Sequence, residues 1–285
     1  MDALRGEQIS RVVDMALDED LAFRDVTTQA LISPDEDGVA YMVAKSDGVL
    51  AGMSVATAVF SRVDSALRIK ELVGDGSKVH QGDRLAIIEG PVASILRAER
   101  VALNFLQRMS GIATETAKYV EAVSGTKAII TDTRKTTPGL RVLEKYAVRA
   151  GGGHNHRENL GDGIIVKDNH LEVLRSRGMG IGEAVKKARK YTSNNMKVEV
   201  EVESVEQARE ALSAEADIIM LDNMNCDDMV RIVGLAEGKA LIEASGGITL
   251  DNVRAVAETG VDIISIGALT HSVKAMDISL DIEMR

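Results

Sequence analysis

The second half of the chain alternates short apolar runs with longer segments whose apolar residues follow helical spacing. The short runs predict β-strands over residues 128–131, 163–166, 197–202, 217–221, 240–243 and 262–266. The longer segments predict helices over residues 139–150, 181–190, 205–212, 227–236 and 250–259. Strands that alternate with helices in this way indicate a parallel sheet with crossover helices. Six strands are too few for a closed α/β barrel, so either the barrel is incomplete or further strands lie in irregular segments.

The first half has a mixed pattern that predicts helices over residues 4–20, 52–63 and 91–123 and strands over 38–45 and 67–73. Ser110 and Gly111 interrupt the apolar stripe of the long helix and predict a break or a kink there. We therefore expect an N-terminal α+β domain over residues 1–110 and an α/β domain over residues 111–271. We expect the tail, residues 272–285, to pack back on the first domain.

The composition narrows the class of protein. Of the 285 residues, 45% are hydrophobic but only 2% are aromatic, so the core must consist mainly of aliphatic side chains. No apolar run approaches the roughly 20 residues that a membrane span needs. The N-terminus has no signal-peptide pattern, and a single cysteine, Cys226, excludes an internal disulfide. These features predict a cytoplasmic protein, and the few His and Cys residues indicate no zinc site.

Charge is unevenly distributed along the chain. The net charge is −10, yet the stretch from Thr131 to Leu171 carries seven Lys/Arg against five Asp/Glu, together with three His. A basic pocket within an acidic protein predicts a small anionic ligand rather than a nucleic acid, which the rest of the surface would repel. The alternative is a solvated basic surface loop, but apolar strand-like runs flank these charges.

Polar residues stand at or just after the ends of all six predicted strands. Because the carboxyl ends of parallel strands converge, these side chains should line one mouth. The cationic members are Arg134, Lys135, Arg157, Lys167 and His156, and the anionic members are Asp222 and one glutamate of the third strand. Alternation places Glu199, Glu201 and Glu203 on the same face of that strand. Three buried carboxylates would be costly without cations, which favours a functional pocket over an exposed edge strand.

The fifth strand is followed by Ser245, Gly246 and Gly247, where glycine leaves backbone N–H groups accessible. A helix that starts at Thr249 would add the positive end of its dipole, so this turn predicts a phosphate site. The alternative is a tight turn that simply requires glycine. Neither a dinucleotide-binding glycine fingerprint nor a P-loop is present.

Residues 73–90 suggest a different class of function. Two Gly-Asp turns bracket short apolar segments in this stretch, as in lipoyl or biotinyl carrier modules. A carrier needs a lysine on an exposed hairpin, and Lys78 is the nearest candidate. Because Lys78 lacks the sequence context of a biotinyl lysine, a small β-rich domain beside an active site is the preferred interpretation.

Three motifs within residues 131–171 resemble quinolinate phosphoribosyltransferase. They are D-T-R-K-T-T-P-G-L-R, G-G-G-x-N-H-R and K-D-N-H, in that order and spacing. The segments Ala98–Thr114 and Ser245–Ile248 are also similar to this family, and the resemblance covers nearly the whole chain. The resemblance implies that the N-terminal α+β domain precedes an incomplete, distorted α/β barrel.

The resemblance also implies a reaction and a set of site residues. The reaction is decarboxylating phosphoribosyl transfer from phosphoribosyl pyrophosphate to quinolinate, with Mg²⁺ bound mainly through the donor's pyrophosphate. The implied quinolinate site consists of Arg134, His156, Arg157, Lys167 and, from the other subunit of a homodimer, Arg100. The implied donor site consists of Lys135, Glu201, Asp222, Ser245, Gly246, Gly247, Gly267 and His271, of which Lys135, Glu201 and Asp222 have catalytic roles.

Several interpretations stay open at this point. Asn169 and His170 belong to the motif without an assigned role, and His154 occupies a variable position. The alternative functions are those of the molybdenum-transport-associated paralogue and of a nicotinate phosphoribosyltransferase. The assembly could be a dimer with shared active sites or a higher homo-oligomer, and no membrane partner is expected.

Overall fold

A computed structural model describes residues 4–192 and 196–284. The helices within these residues are α1 (Gly6–Glu19), α2 (Val26–Leu31), α3 (Met53–Val63), α4 (Val92–Ala122), α5 (Arg141–Ala150), α6 (Asp168–Arg175), α7 (Ile181–Tyr191), α8 (Val205–Ser213), α9 (Cys226–Ala236), α10 (Val253–Glu258) and α11 (Ala268–His271). The strands are β1 (Asp37–Ala44), β2 (Gly48–Val49), β3 (Arg68–Glu71), β4 (Lys78–Val79), β5 (Arg84–Pro91), β6 (Ile129–Thr131), β7 (Ile164–Val166), β8 (Val198–Val202), β9 (Ile218–Asp222), β10 (Leu241–Ser245), β11 (Ile263–Ser265) and β12 (Ile278–Met284).

The chain forms two compact units. Unit 1 comprises Met1–Ala117, Thr136–Gly152 and Ala268–Arg285, and unit 2 comprises Lys118–Lys135 and Gly153–Gly267. No helix within the described residues is both long enough and apolar enough to cross a membrane.

Unit 1 is built on an antiparallel sheet with the strand order β12-β1-β5-β3. Buried residues alternate with less buried ones along β1, so one face of this strand packs on the core and the other faces outward. The C-terminal strand β12 pairs with β1, from Gly38 opposite Met284 to Ala44 opposite Ile278. Lys78, the candidate carrier lysine, lies in β4 and pairs with Val49 rather than standing at a hairpin tip.

Helix α4 runs without interruption through Ser110 and Gly111, so the predicted break is wrong. A Cβ atom at Gly111 would lie 2.2 Å from the carbonyl oxygen of Lys274. The glycine is therefore needed for a close approach of the backbone beside the helix and not for a helix end. Ser110 is buried and donates its hydroxyl to the carbonyl of Ala51.

Helix α5 of unit 1 is buried far more deeply than its charged sequence indicates. Lys145 is fully buried despite its charge, and so is its neighbour Glu144. Glu144 accepts hydrogen bonds from the guanidinium of Arg108 at 2.8 Å and from both the backbone N–H and the hydroxyl of Thr137. Polar residues on this helix are therefore part of the interior of unit 1.

Unit 2 contains a parallel six-stranded sheet with the order β6-β11-β10-β9-β8-β7. All six predicted strands are present, with bounds that differ by one or two residues from the predicted ones. Within the described residues β6 and β7 do not pair with each other, so the prediction of an incomplete barrel is confirmed. Beside the open edge of β6, His154 forms a single parallel bridge with Thr131.

Candidate active site

A cavity of about 630 Å³ opens at the carboxyl ends of the strands of unit 2. This position follows from the parallel sheet, whose strands all deliver their last residues to one edge. The residues that line the cavity are Thr133, Arg134, Lys135, His156, Arg157, Ile165, Lys167, Glu201, Met220, Asp222, Asn223, Glu243, Ser245, Gly246, Gly247 and Ser265.

The loop that carries His156 and Arg157 is held in place by Asp132. This carboxylate is fully buried just after β6, and it accepts hydrogen bonds from the side chain of Asn155 at 2.5 Å and the backbone N–H of His156 at 2.9 Å. Arg157 in turn donates to the carbonyl of Gly163 at 3.1 Å. The asparagine in G-G-G-x-N-H-R is therefore a structural residue that orients the two cationic side chains after it.

Arg134 and Arg157 concentrate positive charge at one side of the cavity. Burial lowers the pKa of Arg157, and repulsion from Arg134 lowers it further. The charges of Glu199 and Asp162 oppose this shift, and the guanidinium groups remain protonated, so an anion that enters the cavity meets two positive charges. The planar guanidinium groups of two neighbouring arginines are suited to binding carboxylates or phosphates.

Lys167 stands between the cationic side and the anionic side. Its Nζ atom lies 2.9 Å from Oε2 of Glu201, which follows it on the neighbouring strand β8. His170 accepts a hydrogen bond from the backbone N–H of Lys167 at 3.0 Å, at the beginning of α6. The role of His170 that the sequence left open is thus to cap this helix and fix the backbone of Lys167.

Asp222 ends β9 and lies directly opposite Ser245 of β10, so the acidic residue and the glycine turn share one corner. Gly246 and Gly247 both have left-handed backbone conformations, with φ of +84° and +61°. A Cβ atom on Gly246 would lie 2.5 Å from the side chain of Asn223, so glycine is required there.

The predicted helix start at Thr249 is wrong. Helix α10 begins at Val253, and the preceding turn is closed by hydrogen bonds from the Thr249 N–H to Asn252 and from the Asn252 amide to the Gly247 carbonyl. Because the side chain of Asn252 forms the hydrogen bonds that close this turn, the helix begins only after Asn252. The helix dipole therefore contributes nothing at the position that the sequence indicated, and any phosphate contact there rests on the glycine turn itself.

A buried cluster lies beside the cavity. Nε2 of His156 is 3.3 Å from a carboxyl oxygen of Glu199 and 3.3 Å from one of Glu243. These three residues could hold a metal ion by distance alone. However, the backbone N–H of Arg157 donates to Nδ1 of His156 at 2.9 Å, which leaves the ring hydrogen on Nε2. An Nε2 that carries hydrogen cannot bind a cation, so the cluster is not suited to a metal.

Comparisons with known proteins decide the family. Residues 112–281 match the C-terminal domain of quinolinate phosphoribosyl transferase, and residues 25–110 match its N-terminal domain. The chain belongs to the quinolinate phosphoribosyltransferase family. It is 45% identical over 277 residues to the probable nicotinate-nucleotide pyrophosphorylase of Bacillus subtilis, covering 97% of this chain and 94% of the relative.

Two further relatives span most of the same fold. A mitochondrial quinolinate phosphoribosyltransferase of Nicotiana tabacum is 43% identical, covering 96% of this chain and 82% of the relative. The solved structure of nicotinate-nucleotide pyrophosphorylase from Francisella tularensis superposes with a TM-score of 0.92 at 41% identity, covering 99% of this chain and 98% of that one. The family resemblance stated from the three motifs is therefore confirmed.

The structure brings most of the predicted site residues of this phosphoribosyltransferase together. Those that line the cavity are Arg134, Lys135, His156, Arg157, Lys167, Glu201, Asp222, Ser245, Gly246 and Gly247. Gly267 lies in unit 2 after β11, whereas Arg100 and His271 belong to unit 1 and are both exposed. The prediction that Glu203 shares the strand face of Glu201 is wrong, because β8 ends at Val202.

Besides Thr133, three polar residues of the cavity received no role from the sequence. Ser265 ends β11, Asn223 follows β9 with a φ of +52°, and Glu243 lies two residues before the end of β10. The signal for Glu243 was present, since it is an acidic residue within an otherwise apolar strand. Such a residue is costly to bury and therefore indicates either a partner or a function.

Proposed function

We propose that this protein transfers the phosphoribosyl group of phosphoribosyl pyrophosphate to quinolinate and releases CO₂ and pyrophosphate. The observation that carries the proposal is one cavity with two differently charged sides, in a member of this family. Arg134, Arg157 and Lys167 make one side cationic, and Glu201 and Asp222 make the other anionic. A planar diacid and a phosphorylated sugar with hydroxyl groups match these two sides.

The acceptor binds at the cationic side. Quinolinate carries two adjacent carboxylates on a pyridine ring, and the guanidinium groups of Arg134 and Arg157 can each grip one carboxylate through two N–H groups. The like charges of these arginines favour a dianion over a monoanion. Lys167 supports the same carboxylates, and His156 forms part of the wall beside them.

The donor binds at the anionic side and the glycine turn. Glu201 and Asp222 accept hydrogen bonds from the ribose hydroxyls, and the backbone of Ser245, Gly246 and Gly247 contacts the terminal phosphate. Gly267 and His271 complete this set, as the resemblance implies. Lys135 is exposed at the cavity and neutralises the pyrophosphate as it leaves.

The chemistry requires neither a nucleophilic side chain nor a redox cofactor. The pyridine nitrogen attacks C1 of the ribose while pyrophosphate departs, and the carboxylates of Glu201 and Asp222 stabilise the oxocarbenium-like transition state. The new N–C bond makes the ring a pyridinium cation. This cation withdraws electrons from the adjacent carboxylate, which then leaves as CO₂.

Mg²⁺ is held mainly by the pyrophosphate oxygens of the donor. Mg²⁺ prefers oxygen ligands and keeps several waters, so it is commonly bound through a substrate phosphate and few carboxylates. In this cavity Glu201 already pairs with Lys167 at 2.9 Å, so its carboxylate is not free to bind the metal ion. When bound, the metal ion supplies positive charge to the leaving pyrophosphate.

The acceptor test compares two substrates. With phosphoribosyl pyrophosphate and Mg²⁺, we expect turnover of quinolinate with one CO₂ per pyrophosphate and much slower turnover of nicotinate. The physical reason is the second carboxylate, which nicotinate lacks and which leaves one cation of the site unpaired. Both substrates are measured by pyrophosphate release. Equal turnover of nicotinate, or transfer without CO₂, would contradict the assignment.

A homodimer with shared active sites is part of this proposal, and a higher homo-oligomer built from such dimers is compatible with it. The N-terminal segment of unit 1 exposes large apolar side chains, with Leu21 at 59%, Phe23 at 58%, Val26 at 74% and Leu31 at 74% of full exposure. Several large apolar side chains exposed within one short segment support contact with a second copy of the chain. Arg100 on α4 is exposed in the single chain, which leaves it able to reach a partner's quinolinate.

Complementation tests the shared site. Arg100→Ala and Lys167→Ala proteins should each be inactive, because each removes a cation from the acceptor site. When subunits exchange, half of the mixed dimers' sites are intact, so activity should rise well above that of either parent. Exchange is verified by native mass spectrometry. Verified exchange without any recovered activity would mean that Arg100 does not act across subunits.

We also place the enzyme in the cytoplasm. The single cysteine, Cys226, is partly buried and unpaired, which is typical of a reducing compartment. The substrates proposed here are small charged metabolites, which fits the same location.

A further inference from the structure

Glu243 has no function in the binding roles proposed above, although it lines the cavity. The residue is fully buried, and neither of its carboxyl oxygens has a hydrogen-bond partner. An ionised carboxylate in such a position would be strongly unfavourable. A buried acid that is costly as a carboxylate and faces a reaction cavity is a candidate for carrying a proton.

The geometry around Glu243 indicates that His156, Glu199 and Glu243 together hold one proton in addition to the Nε2–H of His156. A single Nε2–H group of His156 lies 3.3 Å from both Glu199 and Glu243, and one N–H cannot give a full hydrogen bond to two carboxylates. Two buried carboxyl groups that share a site do not both ionise. Oε1 of Glu199 also has no hydrogen-bond partner, so neither acid is fully compensated as a carboxylate.

The pKa directions agree with this proton count. Burial lowers the pKa of His156, but the adjacent carboxyl groups of Glu199 and Glu243 outweigh it and raise the pKa to about 10. Burial raises the pKa of Glu199. The hydrogen bond from His156 and the positive charges of His156 and Arg157 oppose the shift. Because the Arg157 N–H occupies Nδ1, the extra proton is better placed on a carboxyl group than on the ring. In either form the cluster is protonated at neutral pH.

The proposed reaction consumes a proton at one defined atom. When the C2 carboxylate of the N-ribosylated pyridinium leaves as CO₂, the C–C bond breaks and its electron pair stays on C2. The product carries hydrogen at that carbon, so a proton must bond to C2 with this pair.

We infer that Glu243 is the general acid that protonates C2 after CO₂ has left, and that Glu199 and His156 are positioning residues that keep its proton in place. The inference rests on the proposed function. In the step, the Glu243 O–H bond breaks, the proton joins C2, and Glu243 becomes a carboxylate hydrogen-bonded to His156. Solvent restores the proton after the product leaves.

The test separates the two halves of the reaction. With quinolinate and phosphoribosyl pyrophosphate, the Glu243→Gln variant should release pyrophosphate within a few-fold of the wild-type rate. Without this acid the electron pair on C2 recombines with CO₂ before a proton arrives, so net CO₂ release should fall by about 10²-fold or more, the range expected for loss of a general acid. The N-ribosylated diacid should therefore accumulate, and mass spectrometry of acid-quenched samples would detect it. Glu243→Asp keeps an acid and should recover part of the CO₂ release.

The Glu199→Gln variant tests the same inference at a residue outside the cavity lining. Glu199 is not among the residues that line this cavity, yet its loss removes the second carboxyl group that holds the extra proton. We therefore expect the same separation of pyrophosphate from CO₂, and this variant also decides the matter if Glu243→Gln does not fold. Glu172→Gln, on the exposed surface of α6, is the matched control and should behave as wild type.

Two results would overturn the inference. One is a parallel fall of pyrophosphate and CO₂ in the variants, which would indicate a structural role. The other is unchanged CO₂ release in both Glu243→Gln and Glu199→Gln. A wild-type protein that releases no CO₂ from quinolinate would instead contradict the proposed function itself.

Discussion

Replacing Asp222 with alanine should lower the rate of phosphoribosyl transfer by roughly 10²-fold or more, because preorganised electrostatic contacts to a transition state are worth that much. Asp222 stands at the end of β9, opposite Ser245 and the glycine turn that we assign to the donor phosphate. In the proposed reaction its carboxylate would face the developing positive charge on the ribose. The rate is measured from pyrophosphate release at saturating quinolinate while the donor concentration is varied.

Glu201→Ala should have an effect of the same size with an additional signature. Glu201 forms an ion pair with Lys167 at 2.9 Å, so its removal also releases a lysine of the acceptor side. We expect KM for quinolinate to change in Glu201→Ala but not in Asp222→Ala. Asp227→Ala, an exposed acid in the first turn of α9, serves as the control. Near wild-type turnover in both cavity variants would remove these carboxylates from the donor site.

The largest expected loss of stability lies in unit 1, away from the cavity. Arg108→Ala should lower the free energy of unfolding by about 3–5 kcal/mol, because it leaves a buried carboxylate without its cation. The side chain of Glu144 is only 1% exposed, and Arg108 contacts it at 2.8 Å while also donating to the carbonyl of Thr270 at 2.6 Å. Urea titration of the variant and the parent measures the difference.

Two further variants isolate the buried charge as the cause. Arg62→Ala breaks an exposed pair with Asp14 in the same unit and should cost less than about 1 kcal/mol. The double change Arg108→Met with Glu144→Leu removes both charges and should recover much of the stability. An Arg108→Ala protein no less stable than Arg62→Ala would show that this ion pair is not a structural centre of unit 1.

Much of unit 2 could be predicted from local pattern because the information is local. Most of the strands are short apolar runs, and a polar residue of the cavity ends the strand or follows it, as Lys167 follows β7 and Asp222 ends β9. Parallel pairing of the strands is then sufficient to bring these ends together at one cavity. The six strands and the two charged sides of the cavity were accessible in this way.

Other features depend on neighbours distant in sequence. Gly111 resembles a helix breaker until the backbone of Lys274 is found against it, and Lys145 resembles a surface residue although it is fully buried. The start of α10 moved to Val253 because Asn252 closes a turn that apolar spacing cannot reveal. Glu243 was visible as an acid in a strand, but its lack of a hydrogen-bond partner appears only in three dimensions.

Isotopic labelling tests the central claim most directly. Quinolinate labelled with ¹³C in either its 2-carboxyl or its 3-carboxyl group is incubated with the wild-type protein, phosphoribosyl pyrophosphate and Mg²⁺. The 2-carboxyl label should appear as CO₂, one for each pyrophosphate, whereas the 3-carboxyl label should remain in the mononucleotide. Arg134→Ala should abolish both signals together. Labelled CO₂ from the 3-carboxyl group, or pyrophosphate release without labelled CO₂, would contradict decarboxylating transfer at this cavity.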